Sequence, residues 1–286
     1  MTDDSPPSLL APLGREEYVE QSHFFRALAE RLEANVPAQE VLGSVREEVL
    51  ATTKLPMAID FLLGELRHEG VLGPALARLP HYFTPFQAFV IRESENERLK
   101  FDLRVGLELL CREAQYRSGE PTRQGIFLYQ FESLCRHRLG YDRGLEAVAG
   151  DPAFDVAWRD WILTLRRQIG MVDLADVIYV HSEYYWQRAE KSQGPPPAGA
   201  VILFGEREGR IALANRKKDP LFLFSSLHRQ LGYPEVPRAK AVDAEKSLLP
   251  QMARRLEQLE FRLKILEEEQ RGGLDLTKFY ERPSGP

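Results

Sequence analysis

FFRALAERLEANVPAQEVL, residues 24–42, decides how the rest of the chain is read. Phe25, Leu28 and Leu32 recur three and four residues apart, the spacing that puts side chains on one helix face. Arg26, Glu30, Arg31 and Glu33 take the opposite face. Asn35 and Pro37 then mark a break, since Asn tolerates the left-handed conformation that closes a helix and Pro suits a first turn. Val41, Val45 and Val49 resume as a second stripe, and Ile59, Leu62, Leu63 and Leu66 form a third, stopped at Gly70. The run Phe83-Thr84-Pro85-Phe86-Gln87 reads as a helix start, with Thr84 as cap, Pro85 in the first turn and Gln87 completing a capping box. Leu99, Leu103, Leu107 and Leu110 supply a last apolar face. Each stripe needs burial and the loops are short, so residues 15–117 predict an antiparallel helical bundle.

Residues 24–42 resemble the opening of the cytoplasmic repeat in the inner-membrane platform family of type II secretion and type IV pilus systems. GPALARLPHYFTPFQAFVIRESENERLKFDLRVGLELL, residues 73–110, resembles the second half of that repeat. The resemblance implies a helical fold and a docking role, with secretion or pilus machinery as the partner. Two departures stand out. The family's Gly-Glu-x-Ser/Thr-Gly turn is replaced by Arg92-Glu93-Ser94-Glu95-Asn96-Glu97, where Glu93 or Glu95 matches the family Glu with a shift. The membrane-spanning helices that join the family's repeats have no counterpart in this sequence.

An apolar content of 43% is enough for a core, and a net charge of −5 gives no electrostatic case for nucleic acid. Cys111 and Cys135 are too few for a disulfide scaffold and read as free thiols in a reducing compartment. The N-terminal residues are acidic where a secretory signal is basic, and the longest apolar-rich run, residues 220–227, falls far short of the roughly 20 residues that span a bilayer. These features predict a cytoplasmic protein without membrane insertion.

Residues 1–14 read as a disordered lead-in. Residues 120–192 form a second helical block, in which LCRHRLGYDRGLEAV, residues 134–148, echoes residues 28–42 as a degenerate repeat would. Asp151-Pro152 reads as a helix start. Trp158, Trp161 and Leu165 share a face, as do Val177, His181 and Tyr184 on the next helix. Residues 193–199, with three consecutive prolines, make a stiff linker. Beyond it, AVILF and RIALA flank a glycine-bounded turn and predict a β-hairpin, followed by a helix started by Asp219-Pro220 and closed by Gly232, a module covering residues 200–238.

Leu249, Met252, Leu256, Leu259, Leu263 and Leu266 alternate three and four apart, the seam of a coiled-coil helix over residues 245–271. With Leu249 at position a, Arg255 and Arg262 fall at g and Glu260 and Glu267 at e, so both interchain pairings in a parallel dimer are attractive. Folding back on the bundle is the other way to bury this helix. Residues 272–286 read as a disordered tail. The expected class is therefore mainly α, as helical bundles with a small β-hairpin module and a C-terminal coiled-coil helix.

The chemistry-bearing residues form no recognised constellation. The six histidines are scattered, and no zinc, EF-hand or phosphate-loop spacing occurs, so neither metal nor cofactor is expected. Arg136, His137 and Arg138 beside Cys135 would lower the pKa of an exposed thiol. Trp158, Trp161, Tyr184, Tyr185 and Trp186 could line a partner surface or ligand pocket, with His181 and Glu183 as an acid–base pair, although helical spacing equally suits a core. Arg216, Lys217 and Lys218 form a basic loop suited to an acidic partner. The leading expectation is a non-enzymatic adaptor that self-associates through its C-terminal helix. The alternative is a small-molecule-binding or enzymatic domain at the aromatic cluster.

Overall fold

A computed structural model describes residues 11–238 except Asn35, 97–100 and 194–199. Among the described residues there are thirteen helices and one isolated parallel bridge, between Ser182 and Phe204. The mainly α expectation is met. The coiled-coil seam, residues 249–266 with Arg255, Glu260, Arg262 and Glu267, lies outside the described residues.

The first half comprises α1 (Arg15–Glu33), α2 (Ala38–Glu48), α3 (Leu55–Glu69), α4 (Gly73–Ala77), α5 (Pro85–Ser94) and α6 (Leu103–Arg117). Arg15 near the start of α1 reaches the Ser118 carbonyl beyond the end of α6, while Glu33 ends α1 at 3.6 Å from Arg104 on α6. The two helices therefore run antiparallel. The predicted capping box is present: Gln87 N–H donates to the Thr84 hydroxyl at 3.2 Å, and Thr84 N–H donates to the Gln87 carboxamide at 3.0 Å. Gln87 also donates to Gln21, which donates to the Tyr82 carbonyl, so two buried amides tie α1 to the α4–α5 turn. Phe24, Phe25, Phe83 and Phe86 are fully buried around this tie. Each contributes about 1.5–3 kcal/mol by leaving water. Glu95 accepts from Leu72 and Gly73 N–H, which satisfies two donors that the start of α4 would otherwise leave open. Gly73 is required there, because a Cβ would sit 2.8 Å from Arg92 Cα.

The second half comprises α7 (Arg123–His137), α8 (Tyr141–Ala149), α9 (Val156–Gln168), α10 (Leu174–Val180), α11 (Glu183–Gln193), α12 (Glu206–Asn215) and α13 (Pro220–Leu231). Part of its helix packing follows the same order as in the first half. In the first half α1 packs on α2 and α6, α2 on α3, α4 on α5, and α5 on α6. In the second, α7 packs on α8 and α13, α8 on α9, α10 on α12, and α12 on α13. The α3–α4 packing of the first half has no comparable α9–α10 packing, and α11, which packs on α10 and α12, has no first-half counterpart. The echoing residues 28–42 and 134–148 fall on corresponding helix pairs, α1–α2 and α7–α8.

Three local expectations are corrected. The β-hairpin is absent: residues 201–203 have no regular secondary structure and RIALA belongs to α12. Glu206 and Glu208 in the first turn favour the helix dipole, Glu206 pairs with Arg210 one turn on, and alanines complete a good helix former. Gly209 is a packing residue, since a Cβ there would collide with Ser182 and Tyr184. The helix assigned to Asp151-Pro152 starts later, at Val156, with the Asp155 carboxylate accepting from Trp158 N–H at 3.0 Å. Val177 and Tyr184 do not share a helix. The chain breaks at His181 and Ser182, whose backbone pairs with residues 203–204.

Candidate docking groove

The halves meet on a buried polar cluster. Arg117 on α6 donates to Glu113 at 2.9 Å and to Asp151 in the α8–α9 turn at 3.2 Å. Gln130 on α7 donates to the same two carboxylates at 2.7 and 2.8 Å. The Arg117 guanidinium lies 5.7 Å from the centre of the Tyr18 ring on α1. Burial raises the Glu113 pKa, and Asp151 adds to the rise against the opposing pull of Arg117. Burial also works against the charge on Arg117, but Asp151 and Glu113 together hold it protonated. This cluster fixes the end of α8 against the first half.

A groove of about 450 Å³ opens beside that junction, between α8 and the α4–α5 region. Its walls are helix faces. Pro85, Ala88 and Arg92 recur three and four apart on α5, and Arg143, Glu146, Ala147 and Gly150 do so along and just beyond α8. Ala77 and Pro80 add apolar surface from α4 and the turn after it, with the buried Phe83 also lining the groove. Small side chains keep the space open: a Cβ on Gly150 would come within 3.2 Å of the Pro85 ring. The Thr84 hydroxyl is already committed to its cap.

Arg92 and Arg143 are exposed, and among the described residues neither has an acidic side chain within ion-pairing distance. The third charged lining residue, Glu146, lies 3.6 Å from Arg166. An apolar trough edged by two guanidinium groups without an ion-pair partner suits a carboxylate-bearing segment, because each fork can bind a carboxylate through two parallel hydrogen bonds. The spacing of Arg92 and Arg143, 51 positions apart in sequence, carries no motif, so only folding brings them together.

The residues singled out from sequence are distributed elsewhere. Trp158 and Trp161 are 3% and 5% exposed and pack edge to face at 5.5 Å, with Phe127 and Phe204 around them. His181 lies 5.9 Å from Trp161 and its Nδ1 is 2.8 Å from the Val177 carbonyl oxygen. Glu183 is exposed and uses its N–H on the Phe204 carbonyl. Tyr184, Tyr185 and Trp186 are half-buried on α11, where Tyr185 meets Tyr179 at 5.3 Å and Arg188 and Arg210 approach Tyr184. Arg216 pairs with Asp176, while Lys217 and Lys218 are exposed. Cys111 is buried and Cys135 half-buried. Burial pushes the Cys135 thiol up to about 11, outweighing Arg136.

Among the described residues no group of three His, Cys, Asp or Glu is placed to hold a metal ion, and no helix is long and apolar enough to cross a membrane. Compared with protein-family models, with curated proteins and with solved structures, the chain matches none.

Proposed function

We propose that this protein is a non-enzymatic cytoplasmic docking scaffold that seats an acidic segment of a protein partner in the α5–α8 groove. The observation that carries this reading is the pairing of an apolar trough with two guanidinium groups that have no acidic side chain within ion-pairing distance among the described residues. The recurrent packing of the halves supports a second point, that residues 120–238 are a degenerate copy of the first half with α11 inserted. Together with the resemblance of residues 24–42 and 73–110, it makes a secretion or pilus-type assembly the first partner to try. Self-association belongs to the seam from Leu249 to Leu266.

Co-purification of the tagged full chain from its native cells, read by quantitative mass spectrometry, tests the groove. Arg92→Glu with Arg143→Glu is expected to deplete partners by at least tenfold while leaving the melting temperature unchanged. An unchanged partner set in that variant would overturn the reading. For the seam, Leu256→Asp with Leu263→Asp is expected to lower the mass measured by light scattering, and an unchanged mass would remove self-association from the proposal.

A further inference from the structure

At one end of the second half, two turns are fastened together. Lys217 N–H donates to the Asp173 carboxylate at 2.7 Å, and Arg216 pairs with Asp176 while stacking over Tyr179. Lys217 is held at φ +59°, a left-handed conformation that a non-glycine residue adopts only when its surroundings impose it. The α9–α10 turn and the α12–α13 turn are thus presented as one tip.

Large apolar side chains on these turns face water. Met171 is 76% exposed, Phe222 63%, Leu221 48% and Val172 43%. Leu223, Phe224 and Leu227 take the core side of α13, which leaves Leu221 and Phe222 outside. Around them Arg167, Lys217 and Lys218 are exposed, with no acidic partner within ion-pairing distance among the described residues. The acidic residues nearby are committed. Asp173 caps α10 and holds Lys217, Asp176 is engaged by Arg216, and Asp219 caps α13 through Leu221 N–H at 2.8 Å.

We infer that this tip binds the surface of an anionic lipid bilayer. Phe222, Leu221 and Met171 would enter the boundary between headgroups and acyl chains, and Lys217 and Lys218 would lie against the anionic headgroups. Large apolar side chains flanked by uncommitted cations are the combination such an interface rewards, since burial of the former and attraction of the latter add. An acidic protein surface would answer the cations but leave four exposed apolar groups without a counterpart.

Flotation of the full chain with phosphatidylcholine vesicles, with and without phosphatidylserine, tests this. Binding is expected only with phosphatidylserine, weakening as salt is raised. Lys217→Glu with Lys218→Glu should weaken it by about tenfold or more, given roughly 1 kcal/mol per basic residue near the surface. Leu221→Asp with Phe222→Asp should abolish it while circular dichroism stays as in the unaltered chain. If that variant fails to fold, the lysine pair alone decides. No flotation, equal flotation on neutral vesicles, or flotation undiminished by the lysine reversals would each overturn the inference. Arg92→Glu with Arg143→Glu should float normally, which separates this surface from the groove.

Discussion

Arg117 and Asp151 form an ion pair in which neither side chain is more than 2% exposed, so the two halves of the protein meet on buried charge. Such a pair adds little net stability over an apolar substitute, but breaking it leaves a charge without a partner. Arg117→Met is therefore expected to destabilise by about 3–5 kcal/mol, because it leaves the Asp151 and Glu113 carboxylates buried without their cation. Adding Asp151→Leu and Glu113→Gln, which leaves no charge in the cluster, should recover most of that loss. Urea unfolding of both variants, compared by midpoint at constant m-value, checks this.

Glu113 gives the same cluster a pH dependence. Burial raises its pKa above the ordinary glutamate value of 4.5, so the folded state retains a proton that the unfolded chain has lost. Its contribution to stability is therefore fully present below pH 4.5 and is lost as pH rises through the raised folded-state value. Glu113→Gln should flatten that slope and narrow or reverse the deficit at neutral pH. Urea midpoints from pH 4.5 to neutrality measure it, and parallel profiles for both proteins would refute the assignment.

Gly73→Ala places a methyl group 2.8 Å from the backbone of Arg92, where no flexible side chain can yield. We expect a loss of about 1–3 kcal/mol, typical of overpacking. Because Arg92 edges the groove, partner retention should fall as well. Gly43→Ala, with open space around the added methyl inside α2, is the control: it should leave partner retention unchanged and raise stability by about 0.5–1 kcal/mol.

Cys135, with its thiol pushed up to about 11 by burial, and the buried Cys111 should react slowly with a disulfide reagent at pH 8. Reaction of the folded chain is expected to run at least tenfold slower than in urea. Equal rates would show that these helices open freely.

Local signals were legible where one segment contains its own explanation. The Thr84–Gln87 box, the Asp219-Pro220 start and the stripes of α1 to α3 read directly from spacing, because caps and amphipathic faces are short-range. The hairpin was misread because AVILF has strand composition, and Gly205 and Gly209 mimic a turn. What decides that region is the close packing of Gly209 on Ser182, a contact 27 positions apart. Asp151 looked like a helix cap because its true partner, Arg117, lies 34 positions earlier. The groove was invisible for the same reason, since Arg92 and Arg143 acquire meaning only once α5 and α8 are side by side.

The excursion through α11 leaves and re-enters at a single seat, where Leu203 N–H meets the His181 carbonyl at 2.9 Å and Glu183 N–H meets the Phe204 carbonyl. α10 and α12 touch directly across that seat. A change of length between α11 and residue 200 would therefore leave that seat in place, while α11 itself is held by Tyr185 against Tyr179 and by Tyr184 beside Gly209. That stretch is where a reporter domain could be grafted into this chain.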